Sequence, residues 1–249
     1  MRQIFVSSSD IRGGRAFLSG PAHHHLVRVL RVQPGEVLRL VDERGRRYRA
    51  SILNVGPGEA QAELTGEEPA EEEAGFTRLC VCVPKGGIFE EILDGATQLG
   101  IDEIVPLVSE RTIPRWKGGD VEPKMRRWRS VLVSASQQCN RSRVPQLLAP
   151  LPLEGIGEVI GKDPCLWSFE RAPVPLHLEL ARLGTGLERA TLVVGPEGGF
   201  TDEEAGWGAA RGARLVSLGP RILRTPLACF HLVSALSTWR NLRPFSEEA

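Results

Sequence analysis

The chain has 249 residues, 41% of them hydrophobic, enough to bury a sizeable core in one large domain or in a small domain joined to a larger one. No run approaches the roughly 18 to 20 apolar residues of a membrane span, and the opening MRQIFVSSSD lacks the apolar core of a secretory signal, so a cytoplasmic protein is expected. Formal net charge is zero, which taken alone argues against a nucleic-acid partner, yet residues 1–65 carry ten Arg and no Lys against six acids, and 104–145 carry nine basic residues against three acids.

In chain order, alternating runs at Val37–Val41 and Tyr48–Leu53, separated by Pro34-Gly35 and Glu43-Arg44-Gly45 turns, predict a small β-barrel interrupted by a short helix near Ala22–Leu30. His23, His24 and His25 are consecutive, so they do not all face one metal or substrate; packing at the helix start is expected. Residues 66–75, GEEPAEEEAG, are self-repelling and predict a solvated linker between a domain over 1–70 and one over 76–249. Beyond it, strand-like runs at Leu79–Val83, Glu103–Leu107, Cys165–Phe169, Thr191–Val194 and Leu215–Leu218 alternate with helical periods such as Phe89–Leu99 and Met125–Gln138, a parallel α/β pattern. The last helix, Leu227–Trp239, is apolar nearly all round and must be buried in the domain or against a partner, which makes His231 a core or interface histidine. The five cysteines are odd in number and form no C-x-x-C pair, so neither a disulfide framework nor a metal site is expected, and Cys80 and Cys82 alternate along a buried strand.

Two strand-loop-helix units carry the chemistry. The first runs from Thr191 through Gly195-Pro196-Glu197-Gly198-Gly199-Phe200-Thr201 to Glu204, where Thr201 and Glu204 form a capping box and Asp202 and Glu203 complement the helix's positive end. Its glycines leave no side chain between backbone and ligand. The spacing is neither a dinucleotide fingerprint nor a P-loop, and acids crowd the helix start where a phosphate would sit. A cationic, phosphate-free ligand such as S-adenosylmethionine is compatible; the acids serve equally as caps. The second unit, Leu215 to Pro226, places Arg221 and Arg224 around Ile222-Leu223 beyond a strand's carboxyl end, the edge where open α/β sheets bind ligands.

These residues, Gly195-Pro-Glu-Gly-Gly-Phe-Thr-Asp-Glu-Glu and Leu218-Gly-Pro-Arg-Ile-Leu-Arg-Thr, resemble the RsmE-type 16S rRNA uridine N3-methyltransferases. His24 to Arg31 with Pro34-Gly35 is similar to that family's PUA-like RNA-binding domain, Lys85-Gly86 with Ala96 to Gly100 to its first helix, and Gln138 to Pro145 to its central motif. The resemblance implies an α/β trefoil-knot (SPOUT) methyltransferase domain behind a PUA-like β-barrel, bent S-adenosylmethionine in the knot, and a homodimer through the last helix. By position it implies a cofactor pocket of Leu166, Trp167 and Phe169 at one strand end, Val194, Gly195, Pro196, Glu197, Gly198 and Gly199 in the glycine-rich loop, and Leu218, Gly219, Ile222, Leu223 and Thr225 in the last. The chain departs from the family at Gly95, where Lys is common, at Gln98 and Gln137, where Glu is common, and at Pro226-Leu227, where Glu-Thr is common.

Methylating N3 of uracil means removing a weakly acidic imide proton and stabilising the negative charge left on the base. Arg224, with Arg141 or Arg143, is the candidate for that task, and Glu197 is the one acid within a motif loop. No general base is identified. Cys139 occupies a motif position without an activating neighbour. Arg28 and Arg31, Arg143, and the segment from Arg111 to Arg129 with Trp116 and Trp128 interleaved are candidate RNA contacts, the partner being 16S rRNA within the small ribosomal subunit. Two other readings are an RNA methyltransferase of the same fold acting on a ribose 2'-hydroxyl and a non-catalytic RNA-binding assembly protein.

Overall fold

A computed structural model describes residues 1–69, 75–113, 121–157 and 163–242 of the chain. They form two compact units, Met1–Glu72 with Val133–Val144, and Glu73–Leu132 with Pro145–Ala249.

The first unit is a six-stranded sheet. Its strands are β1 (Gln3–Phe5), β2 (Ile11–Arg12), β3 (Arg15–Ser19), β4 (Val37–Val41), β5 (Arg47–Val55) and β6 (Glu59–Glu68), in the spatial order β1-β4-β5-β6-β3-β2. Only β1 with β4 is parallel. Alternate residues of all the long strands meet in one core around Ile4, Leu18, Leu38, Leu40, Ile52 and Ala60, so the sheet curls about a single interior as the alternation predicts. Between β3 and β4 lies α1 (Gly20–His24), started by Pro21 in its first turn and continued by a π-helical turn over His25–Leu30 that delivers Leu26 to the core.

The linker reading starts too early. Gly66, Glu67 and Glu68 belong to β6, opposite Arg49, Tyr48 and Arg47 of β5, and Glu68 pairs with Arg39 at 2.6 Å. Cross-strand arginines offset the repulsion that composition alone suggests. Residues 70–74 lie outside those described.

In the second unit every pairing is parallel, and the strands are β7 (Phe76–Cys82), β8 (Glu103–Val108), β9 (Gln146–Leu147), β10 (Leu151–Pro152), β11 (Cys165–Ser168), β12 (Arg189–Val194) and β13 (Arg214–Val216). The order is β10-β8-β7-β12-β11-β13, with β9 beside β8. Strands β7, β8, β11 and β12 are buried almost throughout, as sheets covered on both faces require. One face packs Cys80, Cys82, Val105, Leu107, Trp167 and Val193 against Phe200 and Ala205. Burial pushes the Cys82 and Cys165 thiols up to about 12.

The helices are α2 (Ile88–Gln98), α3 (Val121–Gln138), α4 (Leu176–Leu183), α5 (Asp202–Ala209) and α6 (Thr225–Arg240). Helix α6 packs on α2 and β12 through Ala228, Cys229, Leu232, Val233 and Leu236. The all-round apolar reading of α6 resolves into one buried stripe and one open side. His231 is on the open side, exposed, and is not a core histidine of this chain. Trp128 is 4% exposed and packs edge-on against Phe89 at 4.5 Å, so it belongs to the α2–α3 core and is no stacking platform for bases. Trp116 lies outside the described residues. No helix among those described is long and apolar enough to cross a membrane.

Candidate active site

Three loops at the carboxyl ends of β11, β12 and β13 converge on one cleft, floored by the first turn of α6. The β11 loop contributes Ser168, Phe169 and Glu170; the β12 loop Val194 to Glu197, Gly199 and Phe200; the β13 loop Ser217 to Leu223; and α6 gives Thr225 and Ala228. This is the strand-end edge at which open α/β sheets bind ligands.

Local chemistry shapes each wall. A Cβ at Gly195 would stand 3.1 Å from the Phe200 ring, so this position carries no side chain while the ring keeps its place. Gly199, at φ +66°, closes a turn in which its N–H donates to the Pro196 carbonyl at 2.9 Å. Gly219 adopts φ +113°, and its N–H donates to Ser217 Oγ at 3.3 Å. The Thr225 hydroxyl donates to the Gly195 carbonyl at 3.4 Å, tying the start of α6 to the glycine-rich loop. The capping box forms as expected: Glu204 N–H donates to Thr201 Oγ1 at 3.1 Å, and Thr201 N–H to Glu204 Oε2 at 2.9 Å. A hydrogen bond from its own backbone, then one from the Thr201 hydroxyl, hold the Glu203 carboxyl below its ordinary range, so the helix start is anionic.

Of the residues expected at a cofactor pocket, the fold gathers Phe169, Val194, Gly195, Pro196, Glu197, Gly199, Leu218, Gly219, Ile222, Leu223 and Thr225. Leu166 and Trp167 are fully buried beneath the cleft; the Trp167 ring fills the space left by Gly208, where a Cβ would lie 2.7 Å from it. Gly198 turns away from the cleft toward the Arg111 side chain. Glu170, Phe200, Ser217, Pro220 and Ala228 line the cleft without having been expected there. Phe200 and Pro220 lie inside the quoted motifs, and the one sequence signal of Glu170, Ser217 and Ala228 is adjacency to the loops.

Arg224 is exposed at the N-terminal end of α6, its carbonyl accepting from Ala228 N–H at 2.9 Å, while Arg221 lies on the cleft wall. Glu197 Oε1 accepts from the Lys85 N–H at 3.0 Å, so that carboxylate fastens one loop to another. No histidine lines the cleft: His23 Nε2 is bonded to the Gly56 carbonyl at 2.8 Å, and burial, with neighbouring His24, lowers the pKa of half-buried His25.

Arg141 and Arg143 belong to the first unit. Asn140 takes a left-handed conformation, φ +61°, fixed by Arg47 donating to its carbonyl at 2.7 Å, and Gln3 Nε2 donates to the Arg141 carbonyl at 2.7 Å. Arg143 lies alongside Gly45 of the β4–β5 turn. The central motif is thus mounted on the same sheet whose helical insert carries Arg28 and Arg31, both exposed. Cys139 is half-buried, with Sγ 3.8 Å from the Ser136 carbonyl.

Residues 71–237 match the RNA methyltransferase domain family, and residues 18–65 the RNA methyltransferase PUA domain family. The Synechocystis protein named ribosomal RNA small subunit methyltransferase E is 34% identical over 91% of this chain and 74% of its own length. Its Mycobacterium bovis namesake is 28% identical over 90% of this chain and 87% of its own. Among solved structures, Neisseria gonorrhoeae ribosomal RNA small subunit methyltransferase E bound to S-adenosylmethionine superposes with a TM-score of 0.85 at 26% identity, covering 96% of this chain and 97% of that one. A Legionella pneumophila protein in complex with the same cofactor gives 0.86 at 27%, covering 95% and 96%.

Proposed function

We propose, since the chain belongs to the ribosomal RNA small subunit methyltransferase E family, that it methylates N3 of one uridine in 16S rRNA with S-adenosylmethionine as methyl donor. The observation that carries the reading is the convergence of the β11, β12 and β13 loops on a single cleft with Arg221 on its wall and Arg224 beside it.

The residues present fit this cofactor. The cleft walls are largely backbone and aliphatic groups, suited to an adenine held by main-chain hydrogen bonds, and the open space over Gly199 and Gly219 lets a ligand lie against the chain. Glu170 and Glu197 on the wall, with the anionic start of α5, suit a cationic ligand and oppose a phosphate. Bound there, S-adenosylmethionine supplies an electrophilic sulfonium methyl group.

The chain's own residues orient and stabilise. Arg224 contacts the uracil and holds the negative charge that builds on it as the N3 proton leaves, an interaction strongest when most charge has developed. Glu170 and Glu197 are the carboxylates on the cleft wall, and Glu197 also holds the loop by accepting from the Lys85 N–H; the N3 proton passes to solvent or to one of them. Arg28, Arg31, Arg141 and Arg143 take the RNA backbone. The substrate is 16S rRNA within the small subunit, in the cytoplasm, and the open side of α6, with Leu227 56% exposed, pairs with a second copy of the chain.

Transfer of labelled methyl to unmodified small subunits and to free 16S rRNA, followed by nucleoside mass spectrometry, tests this. 3-Methyluridine is expected; a ribose-methylated or other nucleoside would keep the cofactor and reject the target. No transfer with no cofactor binding would reject catalysis.

A further inference from the structure

Arg111 sits in the loop after β8, in a basic stretch whose sequence suggests an RNA contact, yet its side chain is already committed. Its Nη1 donates to the Gly198 carbonyl at 2.8 Å, and its aliphatic stem covers the open face of Gly198, with Cδ 3.4 Å and Cβ 3.5 Å from where a Cβ would stand. The carbonyl of Gly198 and the N–H of Gly199 belong to one rigid peptide unit. That unit is held at both ends, the oxygen by Arg111 and the N–H by the Pro196 carbonyl at 2.9 Å. Its orientation sets where Gly199 meets the cleft.

The neighbouring residue makes a second tie. Glu110 N–H donates to Glu204 Oε1 at 2.8 Å, while Glu204 Oε2 receives Thr201 N–H at 2.9 Å, so one carboxylate joins the β8 loop to the capping box that ends the glycine-rich loop. At the acidic start of α5, the Glu203 carboxyl is lowered by its own backbone hydrogen bond and by the Thr201 hydroxyl first, with the charge of Arg111 adding a smaller effect. Both ends of the Gly198–Thr201 stretch are therefore fastened from the side away from the cleft.

We propose that Arg111 is a positioning residue: it holds the Gly198–Gly199 peptide in the orientation that receives S-adenosylmethionine, and it is not an RNA-contacting cation. The inference rests on the cofactor reading of the cleft. A charge-assisted bond to a carbonyl, removed while the loop is otherwise intact, corresponds to about tenfold in affinity.

Cofactor titration by calorimetry and rRNA binding across a salt series, on wild type, Arg111→Ala, Arg111→Lys and Glu204→Ala, decide it. Binding by the wild type verifies the cofactor reading independently of the variants. Arg111→Ala is expected to weaken S-adenosylmethionine binding about tenfold, Arg111→Lys to recover part of it, and Glu204→Ala to weaken it too, with RNA affinity and its salt slope unchanged in all three. The opposite pattern, unchanged cofactor affinity with a salt slope flattened by roughly 0.7 to 0.9, would make Arg111 a phosphate contact and overturn the proposal. Should Arg111→Ala fail to fold by thermal melting, Arg111→Lys and Glu204→Ala carry the same comparison.

Discussion

Gly95 of α2 stands against a ring of another helix. A Cβ there would lie 2.5 Å from the Phe230 ring of α6, so α2 and α6 approach closely because position 95 is empty. Gly95→Lys is expected to cost about 1–3 kcal/mol of stability by overpacking, read by denaturant unfolding, and Phe230→Ala in the same chain should return part of it. At the cleft, Arg224→Ala should abolish methyl transfer while calorimetry shows S-adenosylmethionine binding intact; unchanged turnover would remove Arg224 from the mechanism. Thiol chemistry supplies a third test. Four cysteines are buried and Cys139 is half-buried, with burial raising the Cys82 and Cys165 thiols to about 12. A thiol reagent at pH 8 should modify Cys139 alone in the native protein, and Cys139→Ser should remove that fast reaction.

Between elements, the tie that supports the last loop is Glu179. This α4 carboxylate, 4% exposed, bonds to Arg214 of β13 and, at 3.0 Å, to Arg182. Beside it, Leu176 N–H donates to the Ser217 carbonyl at 3.0 Å and Ser217 N–H to the Val174 carbonyl at 2.9 Å, so α4 is fixed to the base of the cleft's third wall. Burial alone would push the Glu179 carboxyl up, but its bonds to Arg214 and Arg182 outweigh this and hold it below the ordinary 4.5. A depressed folded-state pKa stabilises above the unfolded value, and that stability is lost as pH falls through the folded one. Glu179→Gln is therefore expected to cost roughly 1–3 kcal/mol at pH 7, and the gap to wild type should close as unfolding is followed from pH 5 downward. A gap independent of pH would refute the ion-pair account.

Across the whole molecule, Arg28, Arg31 and Arg143 are exposed in the first unit, whereas the cleft lies within the second, whose surface also carries exposed arginines such as Arg111, Arg126 and Arg127. Replacing Arg28 and Arg31 together by Ala should flatten the salt dependence of rRNA binding by roughly 0.7 to 0.9 for each phosphate no longer neutralised, with cofactor affinity unchanged.

Much of this molecule was legible along the chain because it is short-ranged. The alternation that makes β4 and β5, the periods of α2 and α3, the Thr201–Glu204 capping box and the turns at Gly195–Gly199 and Gly219 depend on residues a few positions apart, and those signals marked the two loops, while the family resemblance named most of the lining residues within them. Contacts between distant segments were not legible. Pairing with β5 converts Gly66–Glu68 from an apparent linker into strand; Phe89 takes Trp128 into the core; Gln3 and Arg47 attach the 140–143 turn to the first unit; and Gly198 claims Arg111. Sequence by itself determined strands β4, β5, β7, β8, β11, β12 and β13, helix α2 and the glycine turns, because backbone propensity and hydrophobic period act locally. Only the tertiary structure decided which basic and aromatic side chains remain open to a ligand, because burial and hydrogen-bond partners are set by segments that folding brings together.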